Sequence, residues 1–139
     1  MSIEATLAII KPDATARNIA GKIISRIEEE GFTIRGVKQM RLSKAQAERF
    51  YEIHRGKRFF ESLTVFMSSG WVTVLCIERE GGIAKWREVM GATNPAQAAE
   101  GTIRKIYGID VEKNSVHGSD SPENARTEIG FFFSGLDLR

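Results

Sequence analysis

The sequence predicts an open α/β sandwich, with a split βαβ arrangement as one good candidate, and three observations carry that prediction. Apolar runs of strand length are interleaved with stretches whose apolar residues recur at helical spacing. Glycine, proline and serine punctuate the boundaries between them. No internal repeat, low-complexity stretch or linker interrupts the 139 residues, so a single domain over 1–139 is expected.

Leu7-Ala-Ile-Ile10 reads as a buried strand ended by Lys11-Pro12-Asp13, where Pro12 removes a ladder donor. Ile19, Ala20, Ile23, Ile24 and Ile27 predict a helix, and Gly31 supplies its stop. Phe32, Ile34, Met40 and Leu42 share parity, which predicts a half-buried strand over 32–42 with Gly36 as a possible bulge. Ser43 with Gln46 forms a capping box for a helix through about His54. Phe59, Leu63, Phe66 and Met67 mark the next helix, closed by Gly70.

Trp71 to Ile77 is nearly unbroken apolar sequence, as a central strand requires. Ile83, Trp86 and Met90 predict a helix stopped by Gly91, a turn follows over Gly91 to Pro95, and Ile103 to Tyr107 is a short helix. The stretch from Asp110 to Asp120 reads mostly as loop, with Ser115-Val-His117 a weak strand. Ser121-Pro122 starts a last helix whose face carries Ala125, Ile129 and Phe132. Taken by itself, Ile129 to Phe133 fits a strand equally well.

Composition narrows the class. With 42% hydrophobic and 27% charged residues, the chain resembles an ordinary soluble globular protein. A net charge of +2, from 20 basic against 18 acidic residues, does not make nucleic acid or membrane the main partner. Cys76, the single cysteine, cannot form an internal disulfide and reads as a small core residue. The first residues lack a basic and then apolar leader, and no apolar run approaches the roughly 20 residues a bilayer needs. A cytoplasmic protein is expected.

Two histidines stand in unlike surroundings. His54 lies beside Arg55-Gly-Lys-Arg58 and reads as a solvated surface group. His117 sits among small polar residues just ahead of a helix N-terminus, where unpaired N–H groups suit phosphate. On residue pattern, catalysis and an ordinary turn both remain open for it. Lys11, Arg87 and Arg104 fall at element ends, where several cations can grip one anion, though each also fits a solvated charge. Phe59-Phe60 offers a ring for stacking or simply core, and Thr93 precedes a turn. There is no GxxxxGK[ST] loop, no GxGxxG after a strand, no HRD or DFG set, and no Cys/His/carboxylate cluster at zinc spacing.

Asn114-Ser-Val-His-Gly-Ser-Asp-Ser121 resembles the N-x-x-H-G-S-D-S motif of nucleoside diphosphate kinases at every fixed position. The resemblance runs over essentially the whole chain, through Ala8-Ile-Ile-Lys-Pro-Asp-Ala14, Phe59-Phe60, Phe66-Met-Ser-Ser-Gly70, Gly91-Ala-Thr-Asn-Pro95 and Gly101-Thr-Ile-Arg104. It implies an α+β ferredoxin-like sandwich, a four-stranded antiparallel sheet covered by helices. Ser115 to His117 would then join the fourth strand, and Ile129 to Phe133 would continue the last helix.

By the same resemblance His117 is the nucleophile, Glu128 the carboxylate that orients it, and Ser119 the hydroxyl behind that carboxylate. Lys11, Arg87, Thr93 and Arg104 would hold phosphates, Asn114 and Lys11 the sugar hydroxyl, and Phe59 the base. Tyr51 would line the site. Magnesium would come with the nucleotide, with Asp120 touching it through water. The implied partners are nucleoside triphosphates and diphosphates and further copies of the chain, as homotetramer or homohexamer. Arg58, Trp71 and Glu100 depart from the usual family residues at non-catalytic positions. The rivals are a regulatory or nucleic-acid-binding module on the same type of sheet, and a different phosphohistidine enzyme.

Overall fold

The computed structural model describes residues 2–139. Four strands, β1 (Ile3–Ile10), β2 (Thr33–Arg41), β3 (Trp71–Glu80) and β4 (Val116–Gly118), form one sheet in the order β2-β3-β1-β4. Every neighbouring pair is antiparallel, with Ile9 opposite Cys-free β4 at His117 and Leu7 opposite Cys76 on β3. This is the ferredoxin-like α+β arrangement, so the sheet is antiparallel rather than that of an open α/β fold.

The central strands β1 and β3 are apolar on both faces because helices cover both. One face packs Ala8, Ile10, Leu75 and Ile77 against Ile23 and Ile27 of α2 (Ala20–Glu29) and Trp86 and Met90 of α5 (Gly82–Met90). The other packs Leu7, Ile9, Val74 and Cys76 against α3 (Lys44–Phe50), α4 (Phe60–Met67) and α7 (Pro122–Phe132). Short α1 (Pro12–Thr15) follows β1, and α6 (Ile103–Tyr107) precedes the loop into β4. Cys76 is buried as expected.

Most boundaries follow from local chemistry. The Ser43–Gln46 capping box starts α3, and the Ser121 hydroxyl accepts the Asn124 N–H at the start of α7, with Pro122 at its first position. Gly91 ends α5 at φ 87°, a left-handed geometry in which Thr102 also leaves no room for a side chain.

Three expectations need correction. The helix begun at Ser43 does not run to His54: it ends at Phe50, with Tyr51 as its C-cap, and a separate 3-10 turn covers Glu52–His54. The strand at Leu7 begins four residues earlier, at Ile3, in pairing with the long β3. The shared parity of Phe32, Ile34, Met40 and Leu42 does not place them on one face. An extra residue at the Ile34/Gly36 bulge reverses the alternation, so Phe32 and Ile34 join the first core while Met40 and Leu42 join the second.

β4 is the element that matters for the site, and α5 braces it from below. The Trp86 indole N–H donates to the His117 carbonyl at 3.1 Å. A Cβ on Gly118 would lie 2.5 Å from Trp86 and 2.7 Å from Met90, so only glycine lets the strand approach so closely. Gly118→Ala is expected to destabilise the protein by about 1–3 kcal/mol through overpacking. A lowered denaturant midpoint at unchanged m-value will show it.

Candidate active site

His117 and Lys11 meet because β4 pairs with the end of β1: Ile9 opposes His117, and the Lys11 N–H donates to the Ser115 carbonyl at 2.9 Å. Just before the histidine the chain makes a tight three-residue turn, with Val116 N–H donating to Asn114 O at 2.9 Å and Ser115 at φ 75°. A non-glycine residue there is strained and has to be held by its surroundings. Arg17 and Asp13 supply part of that hold, since Arg17 donates to Ser115 Oγ at 3.5 Å and the Asp13 carboxylate accepts from the same hydroxyl at 3.4 Å.

The His117 side chain leaves the sheet on the side of α3, α4 and α7. Its Nε2 lies 2.8 Å from Glu128 Oε1 on α7, and Ser119 Oγ donates to the same oxygen at 2.9 Å. Ser119 is itself fixed by the Leu7 N–H at 3.2 Å, and its own N–H donates to Thr6 Oγ1 at 3.2 Å. The carboxylate therefore holds the proton on Nε2 and leaves Nδ1 with a lone pair. Phe50 and Tyr51 flank the imidazole, with ring centroids 5.5 and 6.3 Å away.

A cavity of about 350 Å³ opens beside the imidazole. Buried Lys11, Tyr51, Arg104 and Asn114 line it together with half-buried His117, Leu63 and Glu112, and exposed Phe59, Thr93 and Val111 mark its mouth. Lys11 Nζ donates to Asn114 Oδ1 at 2.8 Å, while the Asn114 amide donates to the carbonyls of Thr93 and Val111. Arg104 donates to the carbonyls of Gly91 at 3.0 Å and Val116 at 2.8 Å, leaving its buried Nε without a partner among the described residues.

These cations are desolvated, and among the described residues neither makes a direct ion pair with a carboxylate; the charges of Asp13 and Glu112 offset only part of the penalty on Lys11. Burial, reinforced by Arg104, lowers the Lys11 ammonium to about 8. Burial and the charge of Arg87 lower the Arg104 guanidinium to about 10. An anion entering the cavity relieves both penalties. Burial, with a contribution from Glu128, pushes the Tyr51 phenol well above its ordinary range, and its hydroxyl has no hydrogen-bond partner among the described residues.

Not every expected residue shares that cavity. Arg87 is exposed and lines an adjoining cavity of about 480 Å³, to which Thr93 and Arg104 also contribute. Asp120 is exposed and its carboxylate accepts from the Asn124 amide at 2.6 Å. His54, read as a solvated group, is half-buried: its ring lies 6.2 Å from Tyr51 and 5.2 Å from Phe59. Burial, then the Lys57 cation, lowers its pKa.

Neither Phe50, which flanks the imidazole, nor the lining residues Leu63, Val111 and Glu112 stand out in the sequence as parts of a site. Leu63 had a signal, since it stands four residues after Phe59 and so shares its helix face. Val111 had none, being an isolated apolar residue in a loop.

A family model described as nucleoside diphosphate kinase matches residues 4–138 of the chain. The chain belongs to the nucleoside diphosphate kinase family. A curated relative of that name from Cereibacter sphaeroides is 59% identical over 138 residues, covering 99% of each sequence. Another from Syntrophotalea carbinolica is 57% identical over 136 residues, covering 98% of this chain and 99% of the relative. Among solved structures, the Aquifex aeolicus nucleoside diphosphate kinase superposes with a TM-score of 0.98 at 43% identity, covering 99% of this chain and all of that one. The Halobacterium salinarum family member, solved in complex with CDP, gives 0.95 at 36% identity, covering 99% and 92%. The family is one of phosphotransferases that move phosphate between nucleotides.

The unpartnered Tyr51 hydroxyl carries a stability consequence. Removing a buried polar group that lacks a partner relieves its desolvation cost. Tyr51→Phe is therefore expected to leave the free protein as stable as wild type, or up to about 1 kcal/mol more stable. Thermal unfolding of the two proteins side by side will decide it.

Proposed function

We propose that this chain transfers the γ-phosphate of a nucleoside triphosphate, typically ATP, to another nucleoside or deoxynucleoside diphosphate through a phosphorylated His117. The observation that carries this proposal is the 2.8 Å contact of His117 Nε2 with Glu128, which leaves Nδ1 free beside a cavity rich in buried cations.

Each half-reaction balances without a general base. The Nδ1 lone pair attacks the γ-phosphorus, the Nδ1–P bond forms, and the bond from phosphorus to the bridging oxygen breaks with its electrons leaving on the nucleoside diphosphate. Glu128, backed by Ser119, stabilises the positive charge that develops on the ring and keeps it oriented. A second diphosphate then attacks the phosphohistidine in the reverse sense.

Lys11, Arg87, Thr93 and Arg104 hold and neutralise the phosphates, which is most of what phosphoryl transfer asks of a protein. Lys11 and Asn114 also serve the sugar hydroxyl, and Tyr51 closes the site beside the phosphates. Phe59 stacks on the base, and because every base has a π-face this predicts broad base tolerance.

No group of three or more His, Cys, Asp or Glu side chains that could hold a metal ion occurs among the described residues. That donor set fits an ion that arrives on the substrate phosphates, with Asp120 reaching it only through water. Magnesium so carried would supply charge to neutralise the phosphate oxygens. The proposal extends to maintenance of triphosphate pools in the cytoplasm by a homotetramer or homohexamer. No helix among the described residues is long and apolar enough to cross a membrane.

Incubation with ATP alone is expected to leave an acid-labile, base-stable phosphate on wild type and none on His117→Ala. Adding a second nucleoside diphosphate should discharge it and yield the second triphosphate. Equal labelling of His117→Ala would sink the proposal.

A pH dependence follows from Lys11. It is cationic below about 8 in the free protein and loses its charge as pH rises through that value. kcat/KM is therefore expected to fall on the alkaline side with an apparent pKa near 8. Bound phosphate favours the charged form, so the corresponding limb of kcat should move to higher pH. Profiles of both constants, measured from neutral to strongly alkaline buffer, test the pair of statements.

A further inference from the structure

We infer that Ser62 and Glu112 form a clasp across the mouth of the base slot, and that this clasp sets how firmly a nucleobase of any kind is gripped. The inference rests on Phe59, Leu63 and Val111 receiving the base. Two separate pieces of chain make the slot. One wall is Phe59 with Leu63 on α4, and the other is Val111 in the loop between α6 and β4.

The loop wall carries its own frame. Asp110 Oδ1 accepts the N–H groups of Glu112 and Lys113 at 3.0 and 2.7 Å, and the Ile109 N–H donates to the Lys113 carbonyl at 2.8 Å. Asn114 and Lys11 tie its inner end to the phosphate side of the cavity, through the carbonyls of Val111 and Glu112. The α4 wall stands apart from that frame. Among the described residues the Ser62 hydroxyl, donating to the Glu112 carboxylate at 2.8 Å from Oε2 and 3.1 Å from Oε1, is the one hydrogen bond that joins the two walls.

Its position makes it a spacer for the slot. Ser62 adjoins Leu63, and Glu112 adjoins Val111, so the bond fixes the separation of the two apolar faces directly. Those faces stand open, with Phe59 46% and Val111 58% exposed. Ser62 is itself exposed, so water competes for the bond and the clasp can open to admit a ring. All nucleobases share one ring thickness, so a spacer of this kind acts on them alike. A contact to one base's edge would not.

Ser62→Ala is the cleaner variant, because alanine suits an exposed helix position and no charge near Lys11 is lost. Glu112→Ala, which removes the acceptor, and the double variant complete a cycle. Losing one charge-assisted hydrogen bond should raise KM for GDP, CDP and UDP alike by roughly three- to tenfold, with kcat within about twofold of wild type. The dissociation constant of a fluorescent nucleoside diphosphate should move with KM, and the double variant should be no worse than the poorer single one. Phosphorylation by ribose 5-triphosphate, which has no base, should not change.

An unchanged KM and dissociation constant, additive single effects, or a loss confined to one base would overturn the clasp. If wild type binds diphosphates yet never phosphorylates His117, the proposed reaction fails while the dissociation constants still judge the clasp. If it binds no nucleotide, both fall.

Discussion

A strand of three residues cannot hold itself in place, and the site depends on the bonds that hold β4. Backbone pairing with β1 sets its register, but neighbours on three sides fix its position. Trp86 donates to the His117 carbonyl, Arg104 to the Val116 carbonyl, and Ser119 is clamped between Leu7 and Thr6. The nucleophilic candidate is thus mounted on backbone whose carbonyls are occupied by side chains from the rest of the fold. Ser119 both anchors the strand end and steadies Glu128, so the placement of the histidine and the state of its ring share one support.

The same bonds explain the electrostatics. Arg104 spends two donors on carbonyls and keeps a buried Nε unpaired among the described residues, while Lys11 rests on a neutral amide rather than a carboxylate. A counter-ion at either position would stabilise the free protein and compete with phosphate. Their absence among the direct partners keeps the cavity tuned to an incoming anion, at the cost of lowered pKa values. Under the proposed function the apolar part of the cavity serves the base and the cationic part the phosphates.

Legibility in the sequence tracked how local the determinants are. The capping box at Ser43, the proline start at Pro122 and the glycine stop at Gly91 are short-range chemistry, and each appears where the residues placed it. His117 with its surrounding polar run was recognisable as a motif, yet its link to Glu128 crosses from β4 to α7 and no periodicity reports it. The family resemblance supplied that pairing, and the geometry brings the two within hydrogen-bonding distance. Arg87 lies in an adjoining cavity, and Asp120 on the surface, because helix and loop orientation decide where long side chains end. His54 does keep a basic sequence neighbour beside it, with Lys57 Nζ 3.3 Å from its Nδ1, but the rings of Tyr51 and Phe59 that half-bury it are contacts no run of charges reports.

The bulge in β2 shows how an alternation pattern misleads when one residue is surplus. Arg35 has no opposite number on β3, whereas Ile34 faces Ile77 and Gly36 faces Cys76. Deleting Arg35 would leave every other side chain of the strand on the face it now occupies. Deleting Lys38 instead would turn one part of the strand inside out relative to the other, exchanging buried for exposed groups. Gly36, pressed against Phe133 and Leu138, marks where the spare residue is absorbed. Tolerance to a change in chain length is therefore concentrated at a single position in this strand, and relatives that differ in length here should differ there first.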